Sequence, residues 1–173
     1  MREGESFVID ANIVKAVFEA TMGHPVTVSA DPEAAMEILK KNLCRIVLDE
    51  GGHIIQEWRD CVEPEWFEDW YFGFVSEWNV ASIKPRLCND VLKKLRIECG
   101  FPGGENKWLV HTAITEASIN GICALLSEDM DFREPRRKNA KGREKYLTGV
   151  VKGSAAKLLS RHGVKVMSLW DCA

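Results

Sequence analysis

The sequence predicts an α/β protein of three layers, in which helices cover both faces of a central, mostly parallel sheet of four to five strands. Two observations predict this class. The chain contains short apolar segments, and these alternate with longer segments whose apolar residues recur at helical spacing. This alternation is typical of parallel strands joined by crossover helices. The length of 173 residues suits a single domain over 1–173, and no internal repeat is evident.

The first half of the chain predicts two strands and four helices. Both strands are apolar runs that end at an acidic residue, 7–9 before Asp10 and 46–48 before Asp49. Asp31 followed by Pro32 is typical of a helix start, because aspartate caps the first turn and proline fits it. The helices are predicted at 11–20, at 31–43, from 54 to the break at Pro64, and at 65–78.

The second half begins with the least regular segment. Residues 80–104 are rich in proline and glycine, so we expect an irregular insertion there, with a short helix at 90–98. Such an insertion could be a lid, a substrate loop or a partner surface. Further along, helices are predicted at 106–119 and 154–162, and strands at 122–126 and 164–167.

Bulk properties narrow the function classes. The net charge of −3 argues against binding to nucleic acid through overall charge, so any affinity for phosphate must be local. The six cysteines form no CxxC pair and have no histidine at zinc-finger spacing, which favours free thiols. The N-terminus lacks the apolar core of a signal peptide, and no apolar run is long enough to cross a bilayer. We therefore expect a cytoplasmic protein without membrane association.

Acidic residues lie where a metal site would form. The carboxyl ends of neighbouring parallel strands meet at one edge of a sheet, which is where ligands bind in such folds. Crowded carboxylates raise each other's pKa, and a divalent cation removes this repulsion. Mg²⁺ or Mn²⁺ suits oxygen-rich sites and supports phosphodiester hydrolysis. Taken singly, each of these residues is more often a helix cap or a turn residue. The residues are Asp10, Asp49, Glu50, Glu57, Asp129 and Asp131.

Three segments of the chain, at 7–12, 54–58 and 125–132, resemble the motifs of the PIN domain family. Residues 7–12, Phe-Val-Ile-Asp-Ala-Asn, resemble the opening strand of that family, which ends in Asp-x-Asn or Asp-x-Ser. Residues 54–58, Ile-Ile-Gln-Glu-Trp, resemble its second motif, an acidic residue between apolar positions on a helix. Residues 125–132, Leu-Leu-Ser-Glu-Asp-Met-Asp-Phe, resemble its last motif, a strand followed by Thr/Ser-x-Asp-x-Asp-Phe. The order and spacing agree over nearly the whole chain.

The resemblance implies a metal-dependent endoribonuclease that cuts single-stranded or structured RNA with Mg²⁺ or Mn²⁺. It implies that Asp10, Glu57 and Asp129 are catalytic carboxylates that bind the metal, with Asp131 as an auxiliary catalytic carboxylate. Asn12 and Ser127 would support the geometry of the site. PIN-like proteins of this size are often the toxins of bacterial toxin–antitoxin pairs. The resemblance therefore suggests an antitoxin or another protein partner, and a homodimer is also compatible with it.

One position departs from the family pattern. The third acid of the family usually opens the helix that leads to the last motif, seven residues before a small Ala, and counting back from Ala113 gives Asn106. Asparagine offers a cation a carbonyl oxygen but no charge. Glu105 could substitute as a metal ligand, and Glu116 is a weaker candidate on the same helix. The departure leaves open a catalytically degenerate PIN-like module that binds RNA or a protein without cutting.

A strongly basic segment follows the last acidic motif at about 133–152. The segment contains eight basic residues and only two acidic ones, Glu134 and Glu144, which gives a net charge of +6. The segment could hold a nucleic-acid backbone beside the metals, or it could be a solvated loop. The candidate contacts are Arg133, Arg136, Arg137, Lys138, Lys141 and Arg143, with Lys145 and Lys152 completing the set.

A third function class stays open on the sequence. An unrelated α/β phosphohydrolase could use the same acids to bind metal for a small phosphorylated substrate. The extended basic segment argues against it, because a small substrate needs no such surface. A nucleotide-binding fold is disfavoured, since residues 100–104 match neither a dinucleotide fingerprint nor a P-loop.

Overall fold

The computed structural model describes residues 3–101, 104, 106–133 and 154–172. It confirms the predicted class: helices flank a sheet of five strands in the order β3-β2-β1-β4-β5, and every pairing is parallel. The strands are β1 (Ser6–Ile9), β2 (Arg45–Asp49), β3 (Asn79–Ile83), β4 (Cys123–Leu126) and β5 (Val164–Met167). None of the helices in the described part of the chain is long and apolar enough to cross a membrane.

All the predicted helices are present, with small shifts at their ends. They are α1 (Ala11–Thr21), α2 (Pro32–Lys41), α3 (His53–Asp60), α4 (Pro64–Glu77), α5 (Asn89–Cys99), α6 (Lys107–Asn120) and α8 (Ala155–Ser160). Asp31 caps α2 as predicted, because its carboxylate accepts hydrogen bonds from the backbone N–H groups of Glu33 and Ala34. The helix α7 (Met130–Arg133) was not predicted, since its four residues are too few to show a helical period.

The central position of β1 determines where the site can form. All four residues of β1 and of β4 are buried, because β1 lies between β2 and β4 in the sheet and α6 packs across all three strands. Ile9 pairs with Leu126 at the carboxyl ends of β1 and β4. The backbone N–H of Asp10 then donates to the carbonyl of Leu126 at 3.0 Å. The first and last acidic segments therefore leave the sheet side by side.

The prediction of an irregular insertion over residues 80–104 is wrong at its beginning. Residues Asn79–Ile83 form the edge strand β3, which pairs with β2 along its whole length. Its sequence, Asn-Val-Ala-Ser-Ile, is only partly buried and contains no continuous apolar run. The pattern was missed because one side of an edge strand has no neighbour, so the strand needs fewer apolar residues. The short helix predicted at 90–98 is confirmed as α5.

Candidate active site

Asp10 lies at the carboxyl end of β1, where the chain turns into α1, and only 5% of its surface is exposed. Two side chains hold the same carboxylate oxygen, Oδ2. The hydroxyl of Ser127 donates to it at 2.6 Å, and the amide Nδ2 of Asn12 donates to it at 2.9 Å. The orientation of this carboxylate is therefore fixed by residues from two segments that are far apart in the sequence.

Burial makes the charge of Asp10 unfavourable. It raises the pKa of this carboxyl from 3.8 to about 6. The hydrogen bond from Ser127 lowers the pKa, the negative charge of Asp129 raises it, and hydrogen bonds from the backbone of Asn12 and Ala11 lower it. The net shift favours the protonated form of Asp10. A cation beside this carboxyl would favour the ionised form instead, because opposite charges attract. Strong perturbation of a buried acid is typical of functional sites.

The last acidic segment joins this network through its backbone. Asn12 accepts a hydrogen bond from the N–H of Glu128 at 3.2 Å, and the Ser127 hydroxyl accepts one from the N–H of Asp129 at 3.0 Å. The carboxylate of Asp129 accepts the N–H of Asp131 at 2.9 Å. Asp131 lies in α7 and is 5% exposed. The segments at 10–12 and 127–131 are thus joined by one network of hydrogen bonds.

Asp10 opens onto a cavity of about 650 Å³ at the carboxyl edge of the sheet. Glu57, on α3, and Asn106, just before α6, line the same cavity. Glu57 is held near β1 by its neighbour Trp58, whose indole N–H donates to the carbonyl of Ile9 at 3.0 Å. The other residues of the lining are Ala11, His53, Gln56, Asp60, Cys61, Gly104, Lys107 and Trp108.

The donor set suits a hard cation that retains much of its water. Asp10, Glu57 and the amide of Asn106 share the cavity with the exposed carboxylate of Asp60. Mg²⁺ commonly takes only one or two protein carboxylates. Asp129 does not line this cavity but lies close enough for its charge to act on Asp10. Within the described ranges, no three His, Cys, Asp or Glu side chains form a ligand set for one ion.

Two acids considered as ligands have other partners. Asp49 ends β2 and is 2% exposed, and its carboxylate accepts the backbone N–H groups of His53 and Ile54 at 3.0 and 2.8 Å. Burial raises the pKa of Asp49, but these hydrogen bonds and the contact with the His53 ring outweigh it, so the pKa lies below its usual value. The carboxylate of Asp49 therefore binds the first N–H groups of α3 and does not line the cavity.

Glu116 is wrong as a candidate ligand because it lies at the opposite edge of the sheet. It is fully buried beside the first residues of β1 and β2. Its Oε1 atom accepts hydrogen bonds from Ser6, Arg45 and Asn120 at 2.7, 2.8 and 2.6 Å. Glu116 therefore stabilises the amino ends of the strands.

The remaining predicted site residues lie outside the described part of the chain. Glu105 is one of them. The side chain of Arg133 and the whole of 134–153 are also outside it, including the candidate nucleic-acid contacts Arg136, Arg137, Lys138, Lys141 and Arg143. Their roles stay predictions.

Sequence reasoning missed an aromatic pair on the cavity wall. The rings of His53 and Trp108 stack with centroids 3.7 Å apart and planes 13° from parallel. The amino group of Lys107 lies 5.5 Å from the centre of the Trp108 ring. The only sequence pattern that bears on the pair is the position of His53, one helical turn before Glu57 on α3.

No protein-family model matches the chain, and no curated protein matches it either. The resemblance to PIN domains therefore stays a prediction from the three short segments. The geometry of the cavity is an independent basis for a functional argument.

Proposed function

We propose that this protein is a metal-dependent endoribonuclease that hydrolyses phosphodiester bonds in RNA. One observation carries the proposal. A buried carboxyl whose pKa is raised to about 6, Asp10, opens onto the same cavity as Glu57, and Asp129 is close enough to act on it. Such an arrangement, at the carboxyl edge of a parallel sheet, is the usual setting for a cation and a phosphate substrate.

The residues of the cavity have separate tasks in this proposal. Asp10 and Glu57, with the amide of Asn106, would hold Mg²⁺ or Mn²⁺. When bound, such an ion supplies an activated water and stabilises charge on the scissile phosphate. Asn12 and Ser127 orient Asp10 through their hydrogen bonds to Oδ2. Partners of this kind are commonly needed for full metal affinity.

RNA is the proposed substrate because of the charge that follows the site. The basic segment at 133–152, with its net charge of +6, begins two residues after Asp131 in the sequence. Contacts from Arg and Lys to phosphates position a nucleic-acid backbone. A small phosphorylated substrate would not need so extended a basic segment.

Cleavage of labelled RNAs and single-stranded DNA by purified protein tests the proposal, with Mg²⁺, with Mn²⁺ and with EDTA. We expect cutting of RNA that requires the cation and is lost in Asp10→Asn and Glu57→Gln. Asp69→Asn is the matched control, because Asp69 is exposed on α4 and does not line the cavity. Well-folded wild-type protein that cuts no RNA with either cation would contradict the proposal.

A second candidate function is an RNA- or protein-binding module that does not cut. One observation favours it: Asn106 lines the cavity at the position where the family pattern has an acid. Asn106→Asp distinguishes the two functions. If the wild-type protein binds RNA without cutting and Asn106→Asp cuts, the missing charge makes the natural protein a binding module.

A further inference from the structure

His53 is held in a fixed orientation by Asp49. Its Nδ1 atom lies 2.7 Å from Oδ2 of Asp49, whose side chain is 1% exposed. Because the pKa of Asp49 is lowered, its carboxylate is ionised and can only accept hydrogen bonds. Nδ1 of His53 therefore carries the proton of this contact. The other ring nitrogen, Nε2, takes no part in this contact.

The plane of the ring is also determined. Stacking on Trp108 at 3.7 Å restricts rotation of the imidazole. Gly51 leaves room for the ring on another side, since a Cβ atom there would lie 2.5 Å from Cε1 of His53 and 2.6 Å from Nδ1. An imidazole oriented by a carboxylate and by packing is the usual form of a catalytic histidine.

His53 faces the cavity that the proposed function uses. It lines the same wall as Asp10 and Glu57, and the other charged residues of the lining are Asp60 and Lys107. Its side chain is 42% exposed, so the ring adds little to the core while remaining accessible to a substrate. The buried carboxylate of Asp49 behind an accessible imidazole is a pairing suited to proton transfer.

We propose that His53, held by Asp49 and stacked on Trp108, is the general acid that protonates the leaving oxygen of the substrate. The inference rests on the proposed ribonuclease function and adds a role that the acidic residues do not supply. Water attacks the phosphorus, forms the new P–O bond and releases a proton to solvent. As the old P–O bond breaks, its electron pair stays on the leaving ribose oxygen. That oxygen takes the proton from Nε2–H of the imidazolium form of His53. The ring is left as the neutral imidazole, which keeps the proton on Nδ1 against Asp49 and regains the Nε2 proton from solvent.

A substrate with a sulfur leaving group tests this role. The ends of the wild-type products first identify the leaving oxygen, and that oxygen is then replaced by sulfur in the same RNA. A thiolate leaves without protonation, so a general acid accelerates only cleavage of the oxygen substrate. We expect His53→Phe, which preserves the stack on Trp108, to slow cleavage of the oxygen substrate by about 100-fold or more. The ratio of the sulfur rate to the oxygen rate should rise by the same factor.

Two further variants complete the test. Gly51→Ala should displace the ring from Asp49 and raise the rate ratio in the same direction, although His53 is still present. His162→Gln, at an exposed histidine outside the cavity lining, should leave both rates unchanged. Thermal melting shows that each variant is folded. A rate ratio that does not change in His53→Phe overturns the inference and leaves the nuclease intact. A wild-type protein that cuts neither substrate overturns the proposed function, and the inference with it.

Discussion

Asp10 shows, at the scale of one residue, how a functional group can oppose stability. The folded protein disfavours its charge, because burial removes the carboxylate from water and Asp129 repels it. Ser127 and Asn12 recover part of the cost by donating hydrogen bonds to one oxygen. What remains is a raised pKa, which a cation would reverse.

A pH dependence of stability follows for the cation-free protein. The pKa of Asp10 is about 6 in the folded state and 3.8 when unperturbed, so the folded state binds this proton more tightly. The Asp10 contribution therefore destabilises the protein above pH 6, and this loss disappears as the pH falls from about 6 to about 4. Asp10→Asn should raise the free energy of unfolding by roughly 2–3 kcal/mol at pH 7.5 and change it little at pH 4.

Urea unfolding in EDTA at both pH values measures this effect. Addition of Mg²⁺ or Mn²⁺ should then stabilise the wild-type protein and not the variant, because binding to the folded state alone adds stability. Equal stability of the two proteins at pH 7.5 in EDTA would show that the charge of Asp10 is already compensated.

At the scale of elements, α3 depends on two buried anchors. Asp49 begins the helix by accepting two of its first backbone N–H groups. Trp58, fully buried, ties the helix to β1 through the carbonyl of Ile9. The residues between these anchors include His53 and Glu57, so both cavity side chains take their positions from the ends of one short helix.

Removal of the second anchor should be costly. Trp58→Phe leaves the carbonyl of Ile9 buried without its donor and reduces packing, and we expect a loss of about 2–4 kcal/mol in the free energy of unfolding. Trp170→Phe is the matched control, because Trp170 is 70% exposed. Urea unfolding measures both. A similar, small effect in the two variants would contradict the anchoring role of Trp58.

At the scale of the whole molecule, the carboxyl and amino ends of the strands have different roles. The cavity lies at the carboxyl ends of the strands. At their amino ends, the partly exposed Arg45 lies 2.8 Å from Oε1 of the buried Glu116. This pair joins α6 to β2, and Ser6 extends it to β1. The contribution of this ion pair to stability should therefore be separable from the chemistry of the cavity at the carboxyl ends of the strands.

Arg45→Ala tests that separation. The variant leaves the buried carboxylate of Glu116 without the positive charge of Arg45. We expect a loss of about 3 kcal/mol in the free energy of unfolding, at the low end of the range for broken buried ion pairs because Arg45 is partly exposed. Lys40→Ala, which breaks an exposed ion pair with Glu77, should change the free energy of unfolding far less, because water screens exposed charges. Cleavage per folded molecule should be unchanged in both variants. A large fall in the cleavage rate of folded Arg45→Ala would show that the ion pair and the cavity are coupled.

The sequence by itself determined the class of the fold and the places where acids follow strands. Apolar periodicity is local, and four of the five strands and all the longer helices could be predicted from it. The strand β3 escaped because an edge strand needs only a weak apolar pattern.

Only the tertiary structure decided which polar residues meet. Asp49 and Asp10 both follow buried strands, yet Asp49 caps a helix and Asp10 faces the cavity. Glu116 and Asn106 belong to the same stretch of chain, yet they lie at opposite edges of the sheet. The stacking of His53 on Trp108 likewise depends on how α3 and α6 pack. The direction of a side chain depends on contacts between distant segments, and no local pattern in the sequence records them.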